Sequence, residues 1–410
     1  MLLASNRNYR LLFSASAISN LGDGISALAF PWLATLITRD PGLIALVAFA
    51  TRLPWLLFAI PAGVITDRVD RKMLMMRADL FRLLLTGAVI ALILSVPSFP
   101  PESDAALYIL ALSALAFLLG TAEVLRDNAA QTALPSVVEK AQLEKANGQI
   151  WSIEQIMGSF VGPPLAGLLI AFAVPAPFAV DALTFGLAAW MIWCIAMPPR
   201  IAPARRSLWV ETVEGARWVW AHKTILQLAI MLGLFNFAAI MATTILILYS
   251  QEILGLSAAG YGLLMTAGAL GGVIGGLVSP AIATRLGRRL SLFVAMGVST
   301  VHFFMIAVTA TPVVVAFALF LEMLAALLWN VVTVSYRQRL IPDDLLGRVN
   351  SIYRFFGWGT MPLGALIGGW LVAWGEPDLG RDMALRLPYV VAGAITGLML
   401  IYGLFRLRLA

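Results

Sequence analysis

The sequence predicts an all-α polytopic membrane protein, with twelve transmembrane helices in two pseudo-symmetric six-helix bundles. Three observations carry that expectation. Of 410 residues, 60% are hydrophobic and only 12% are charged, with a mean hydropathy of +0.89; a soluble domain is about half apolar and about a quarter charged. The apolar residues fall into long segments that match the roughly 20 residues needed to cross a bilayer. They are too long for barrel strands, so helices must satisfy the backbone in lipid. Lysine and arginine collect in alternate loops, as the positive-inside rule requires.

In chain order the segments run 11–37, 43–66, 74–96, 105–126, 148–173, 177–197, 224–250, 258–283, 290–309, 312–335, 350–374 and 387–406. The first follows Arg7 and Arg10 directly and is long, so it reads as an uncleaved span and not a cleaved leader. A basic turn with Arg68, Arg71, Lys72 and Arg77 separates the second from the third, and Arg126, Lys140 and Lys145 separate the fourth from the fifth. The fifth and sixth meet in a very short turn at Pro175 and Pro177. Next comes the one long polar stretch, 198–223, with Pro198, Pro199, Pro203, Arg205 and Arg206. It ends in an amphipathic piece, Glu211 to His222, suited to the membrane interface. In the second half, Arg285, Arg288 and Arg289 follow the eighth span, Arg337, Arg339 and Arg348 lie around the tenth-to-eleventh turn, and Arg406 and Arg408 follow the twelfth. The opposite loops hold Arg39, Arg381 and Arg386. This places both termini in the cytoplasm of a multi-pass inner-membrane protein, and an odd number of spans would invert part of the pattern. The expected domains are an N-terminal bundle, 1–197, a cytoplasmic linker, 198–223, and a C-terminal bundle, 224–410.

The net charge of +6 and pI near 9.7 then reflect basic residues retained on the cytoplasmic face and do not call for nucleic acid. Cys194 is the single cysteine, and His222 and His302 are the two histidines, so no disulfide framework or metal site is expected. The sequence lacks the phosphate loop of ATP hydrolysis and the serine elbow or zinc helix of common hydrolases. No enzyme activity and no cofactor are expected. The expected partners are small cargo, protons and lipid, for a monomer.

Two motifs sharpen the reading. The turn Gly63-Val64-Ile65-Thr66-Asp67-Arg68-Val69-Asp70-Arg71-Lys72 has a looser copy, Thr284-Arg285-Leu286-Gly287-Arg288-Arg289. This turn resembles the loop signature of the major facilitator superfamily, and the resemblance spans the whole chain. It implies two bundles rocking about a central cargo site, with Gly63, Asp67, Arg68, Arg71 and Lys72, and the copy at Arg285, Arg288 and Arg289, forming a cytoplasmic latch. Gly158-Ser159-Phe160-Val161-Gly162-Pro163-Pro164-Leu165-Ala166-Gly167 resembles the antiporter motif of drug exporters, with Ala166 in place of a glycine. Gly158, Gly162 and Ala166 recur at four-residue spacing and offer a smooth helix face, Pro163 kinks the helix, Gly167 completes the motif, and the resemblance implies export. Pro362-Leu363-Gly364-Ala365 with Gly368-Gly369 repeats the composition in the other half.

Charged residues within spans are costly and usually functional or paired. Asp23 in the first span is the first choice for proton coupling, with Glu123, Glu154, Asp181, Glu322 and Arg354 as further proton or cargo candidates. Asp79 and Arg82, three apart, are expected to pair on one helix face. Drug exporters carry Arg then Gly four residues on in the fourth helix; here Arg126 is followed by Ala130, so that motif is not matched. Trp32, Trp151, Phe235 and Trp329 are among the candidate aromatic cavity linings. Within the superfamily, Leu21-Gly22-Asp23, the Asp67–Arg71 turn and Leu134-Pro135 with Ala146-Asn147 look most like the bacterial enterobactin-exporter and macrolide-efflux branch. The expectation is therefore proton-linked export of a siderophore, macrolide or other drug. The competing expectations are a proton-coupled nutrient symporter of the same fold, and a non-transporting membrane assembly factor or enzyme.

Overall fold

A computed structural model describes residues 2–139, 142–197, 208–342 and 345–407. All the regular elements among them are helical, and large apolar side chains face outward along them, as with Leu84, Leu277 and Phe172, exposed by 67%, 76% and 86%. Water would not tolerate so much exposed apolar surface. A lipid phase does.

Three of the helices begin at a side chain that caps their first turn. A short α1 (Leu2–Ser5) precedes α2 (Arg7–Ile37), capped by Asn6, which accepts from the Tyr9 amide at 3.0 Å. The Asp40 carboxylate accepts from the Gly42 and Leu43 amides at 2.7 and 3.1 Å to start α3 (Pro41–Arg68). Asp70 accepts from the Met73 amide at 2.8 Å to start α4 (Arg71–Ser95). Such caps satisfy amides that the first turn leaves without partners. Then follow α5 (Ala105–Ala133), α6 (Leu143–Gln155), α7 (Gly162–Phe172) and α8 (Ala176–Trp193).

The amphipathic α9 (Leu208–Ala221) leads into α10 (Lys223–Glu252), and the polar stretch 198–207 lies outside the described residues. Trp218 of α9 stacks on His222 at 3.7 Å. The remaining helices are α11 (Ala258–Val308), α12 (Pro312–Leu340), α13 (Leu346–Gly359), α14 (Met361–Leu379) and α15 (Arg381–Arg406).

Among the described residues, ten helices are long and apolar enough to cross a membrane. Two features reconcile that number with twelve expected spans. The 51-residue α11 covers both predicted segments 258–283 and 290–309, with a break at Gly287, whose φ of 75° suits glycine. At about 1.5 Å per residue it has the length of two crossings. The 31-residue α2 is absent from the ten; its serines, Asn20 and Asp23 dilute its hydropathy.

The helices gather into two compact units. The first comprises Met1–Arg39, Leu46–Ala204 and Leu256–Thr266; the second comprises Asp40–Ala45, Arg205–Gly255 and Ala267–Ala410. The start of α11 thus packs in the first unit and the start of α3 in the second. The first unit buries Tyr9, Leu12, Met75, Ala133 and Ile192 together. The second buries Ile225, Phe235, Leu292, Trp329 and Tyr353. Phe235 and Trp329 stack at 6.3 Å inside that core, so these two candidate cavity aromatics serve packing, while Trp151 is exposed.

Candidate functional site

The interior of the first unit holds a chain of alternating charges that three helices assemble. Asp23 on α2 is ion-paired with Arg82 on α4. Arg82 Nη1 lies 3.6 Å from Asp79 Oδ1, one helical turn back, which is the expected same-face pair. Asp79 Oδ1 also lies 3.7 Å from Arg126 Nε on α5, and Arg126 Nη1 lies 3.3 Å from Asp127. The order is Asp23, Arg82, Asp79, Arg126, Asp127. Its middle three members are buried, and its ends, Asp23 and Asp127, keep side-chain exposures of 24% and 31%.

Neighbouring groups fix the two arginines. Arg82 donates to Ser19 Oγ at 3.2 Å and lies 3.8 Å over the Phe185 ring, a cation–π contact that a dry site strengthens. Arg126 donates to the Ala15 carbonyl at 3.4 Å. Further carboxylates surround the chain. Asp181 accepts from Ser26 Oγ at 2.6 Å and is fully buried. It fits because Gly22 has no side chain; a Cβ there would meet Asp181 and Thr184. Asp181 lies within electrostatic reach of Arg82, Glu123 of Arg82 and Arg52, and Glu154 of Arg126 and Asp127. Six carboxylates thus face three guanidinium groups. A set with that excess of acid and a buried middle favours protons or a cationic cargo over anions.

The structure therefore brings together Asp23, Glu123, Glu154 and Asp181. It places Glu322 elsewhere, on α12 in the second unit, beside His302 at 2.8 Å. The Arg354 side chain lies outside the described residues. Spacing along the chain gave Arg126 little weight, yet it is a central member, 1% exposed. Its partner Asp79 is remote in sequence, so only the outlying burial of an arginine inside an apolar helix could have signalled it. His302 was missed for the same reason.

Of the expected latch, Gly63 and the Asp67 side chain lie outside the described residues, and Arg68 is exposed. Arg71 donates to the Thr132 carbonyl at the end of α5, and Lys72 Nζ donates to the Ile195 carbonyl at 2.6 Å. In the second copy, Arg285 is exposed, Arg288 lies 5.9 Å from the Tyr336 ring, and Arg289 donates to the Leu404 carbonyl at 3.2 Å. These contacts fasten helix ends inside each unit.

The antiporter-like motif makes two close crossings. Between α6 and α7 the backbone widens into a π turn, Ile156–Val161, in which the Gly162 amide bonds Met157 O. Pro163 and Pro164 supply no amide hydrogens, so the α pattern cannot continue there. A Cβ on Gly162 would lie 2.6 Å from Gly24 Cα of α2, and one on Gly24 would lie 2.9 Å from Gly158 Cα. At the other end, a Cβ on Gly167 would lie 2.9 Å from Ala259 Cα, and one on Gly262 would lie 2.7 Å from the Pro163 carbonyl oxygen. The second unit repeats this. Gly364 and Gly368 of α14 close on Phe237 and Met241 of α10, and Gly369 closes on Pro41 and Ala45.

Among the described residues no group of three or more His, Cys, Asp or Glu side chains is placed to hold a metal ion. A network of Arg381 with Glu252 and Glu376, at 2.8 and 2.9 Å, ties the ends of α10, α14 and α15.

Comparison with known proteins places the chain. The family model described as "Transmembrane secretion effector" matches residues 3–406. The multidrug efflux pump Tap of Mycobacterium tuberculosis (strain H37Rv) is 26% identical over 405 residues, covering 94% of this chain and 91% of Tap. The enterobactin exporter EntS of Salmonella typhimurium is 27% identical over 424 residues, covering 99% and 94%. Among solved structures, a bacterial homologue of the iron transporter ferroportin in an inward-facing state aligns with TM-score 0.76 at 17% identity, over 98% of this chain and 99% of that one. The nucleoside transporter NupG aligns with TM-score 0.75 at 12% identity, over 98% and 100%. At those identities the structural matches establish the fold alone. The chain is a multi-pass membrane transporter and not an enzyme, and it belongs to the transmembrane secretion effector family of the major facilitator superfamily.

Proposed function

We propose that this chain exports a small organic molecule, of the siderophore or drug kind, in exchange for protons that pass through the charge chain of the first unit. Full-length relatedness to a multidrug efflux pump and to an enterobactin exporter supports export. The observation that carries proton coupling is the run Asp23–Arg82–Asp79–Arg126–Asp127, whose semi-exposed ends flank a buried middle. A proton taken up at Asp23 neutralises it and frees Arg82 to reorganise against Asp79. Each step shifts the charge balance in a low-dielectric site, where such changes are large enough to bias a two-state transporter. Bundles 1–197 and 224–410, joined through 198–223, alternate access to the cargo; both termini face the cytoplasm, and the monomer is the working unit. Gly63, Asp67, Arg68, Arg71 and Lys72 act with Arg285, Arg288 and Arg289 as the latch.

The test is efflux from cells stripped of their own pumps. Cells expressing the chain are expected to retain less ethidium, or to secrete more enterobactin, until a protonophore collapses the gradient. Asp23→Asn should lower gradient-driven efflux by about tenfold, within the range of ordinary coupling energies. Cells that gain internal ethidium on expression would point to import and overturn the reading.

A further inference from the structure

The middle of the second unit is almost bare of ionisable groups, which makes its exception informative. Past Arg289, the rest of α11 carries His302 as its only ionisable side chain, and α12 carries only Glu322 before Tyr336. These two meet. His302 Nδ1 lies 2.8 Å from Glu322 Oε2 and 2.7 Å from the Ser299 carbonyl oxygen. A carbonyl oxygen only accepts, so Nδ1 carries hydrogen, and Nε2 is the nitrogen that gains or loses a proton. Both residues are buried, at 3% and 5% exposure. Neither Glu322 oxygen has a hydrogen-bond partner among the described residues, so the approach of Nδ1 to Oε2 is a close charge contact, and Oε1 is open to a proton.

The charged groups on the packed elements stand apart from the pair, at helix ends: Arg289 on α11, Arg337 on α12, Asp382 and Arg386 on α15, and Glu252 on α10. Arg386 engages the carbonyls of Ala307 and Thr309 at 2.8 and 3.1 Å, further along the chain from His302. The phenols of Tyr249 on α10 and Tyr389 on α15 belong to rings packed edge to face at 5.2 Å. Among the described residues, no opposing charge in the unit's middle duplicates the pair.

A buried ion pair gains little stability over apolar residues of the same size, and an ionisable residue within a membrane is by default functional. Histidine is the side chain whose charge changes near physiological pH. We infer that His302 and Glu322 form a second proton-carrying site, in the second unit, needed for coupling and not for cargo binding or folding. With Glu322 ionised and both imidazole nitrogens protonated, the pair is neutral. Release of the Nε2 proton leaves it with one negative charge, and uptake at Oε1 leaves it with one positive charge. The inference rests on the proton-coupled export reading above for its role, but not for its chemistry.

The experiment uses the full chain in proteoliposomes with ethidium as probe, and the variants His302→Asn and Glu322→Gln. Asparagine keeps a donor where Nδ1–H stands and removes the titrating nitrogen. Both variants are expected to retain downhill ethidium exchange, while accumulation driven by a pH gradient falls by about tenfold. In pH-difference infrared spectra of the purified protein, the carboxylic C=O band that grows on acidification should be missing from Glu322→Gln. Gradient-driven accumulation at the wild-type level in His302→Asn, or an infrared difference unchanged by Glu322→Gln, would overturn the inference. So would loss of downhill exchange together with a lowered melting temperature, which would make the pair a packing element. If the wild type moves ethidium without protons, or not at all, it is the coupled-export reading that fails, and the infrared titration decides the pair by itself.

Discussion

At the scale of single residues, the first unit depends on a carboxylate that two arginines share. Asp79 has no exposed surface and lies 3.6 Å from Arg82 and 3.7 Å from Arg126. Removing one member of such a set strands the others without compensation, at a cost of about 3–5 kcal/mol. Asp79→Ala should therefore lower the melting temperature in detergent strongly. Adding Arg126→Leu to it should restore part of the loss, because the double variant buries less unpaired charge. Additive losses in that cycle would show that the two do not interact. Gly22 acts at the same scale: Gly22→Ala would push a methyl group into Asp181 and Thr184. Gradient-driven efflux should fall in this variant even where the protein still folds. The sequence revealed half of this site. Asp23, Glu123, Glu154 and Asp181 stand out as acids inside apolar segments, and the spacing of Asp79 and Arg82 gives their pairing. Arg126 with Asp79, and His302 with Glu322, are joined across consecutive helices, and no periodicity within one helix records such meetings.

At the scale of elements, glycine spacing sets how closely helices approach. Gly158 and Gly162 let α7 and its π turn lie against α2, while Gly167 lets the far end of α7 lie against the start of α11. Gly364, Gly368 and Gly369 do the same for α14. The composition of both segments suggested small-residue packing, and Pro163 suggested a kink. The π turn is a different solution to the same missing amide hydrogens: it widens the ring of hydrogen bonds and keeps the helix continuous. Gly162→Leu should force α2 and α7 apart and cost about 1–3 kcal/mol by overpacking, read as a lowered melting temperature. Leu168→Ala, on an exposed surface of the same helix, should leave the melting temperature nearly unchanged. Equal losses in the two variants would deny that close approach matters. Arg386 fixes another junction, holding Asp382 at 2.9 Å and the Ala307 carbonyl at 2.8 Å. Arg386→Ala should cost about 1–3 kcal/mol, since the carbonyls it serves lose their donor.

At the scale of the whole molecule, the hydrophobic pattern is the part of the fold most directly written in the chain. Lipid imposes a minimum helix length and forbids unpaired backbone, so each predicted segment from 11–37 to 387–406 falls largely in helical elements. The departures have local causes. Gly287 keeps α11 helical on both sides of a left-handed residue, so two expected spans appear as one element. The polar content of α2 keeps its hydropathy low, although the helix spans the expected segment 11–37 and carries Asp23 at one end of the charge chain. The grouping of helices into units was less legible, because Asp40–Ala45 and Leu256–Thr266 join units that their sequence neighbours do not. The central claim is that outward movement of cargo is driven by inward movement of protons through the first unit. It is tested most directly in proteoliposomes that report internal pH and ethidium together. The expected result is proton flux opposite in direction to ethidium flux, in a fixed ratio, lowered about tenfold by Asp23→Asn while the protein still binds the dye. Ethidium transport with no accompanying proton flux, or with protons moving in the same direction, would contradict it.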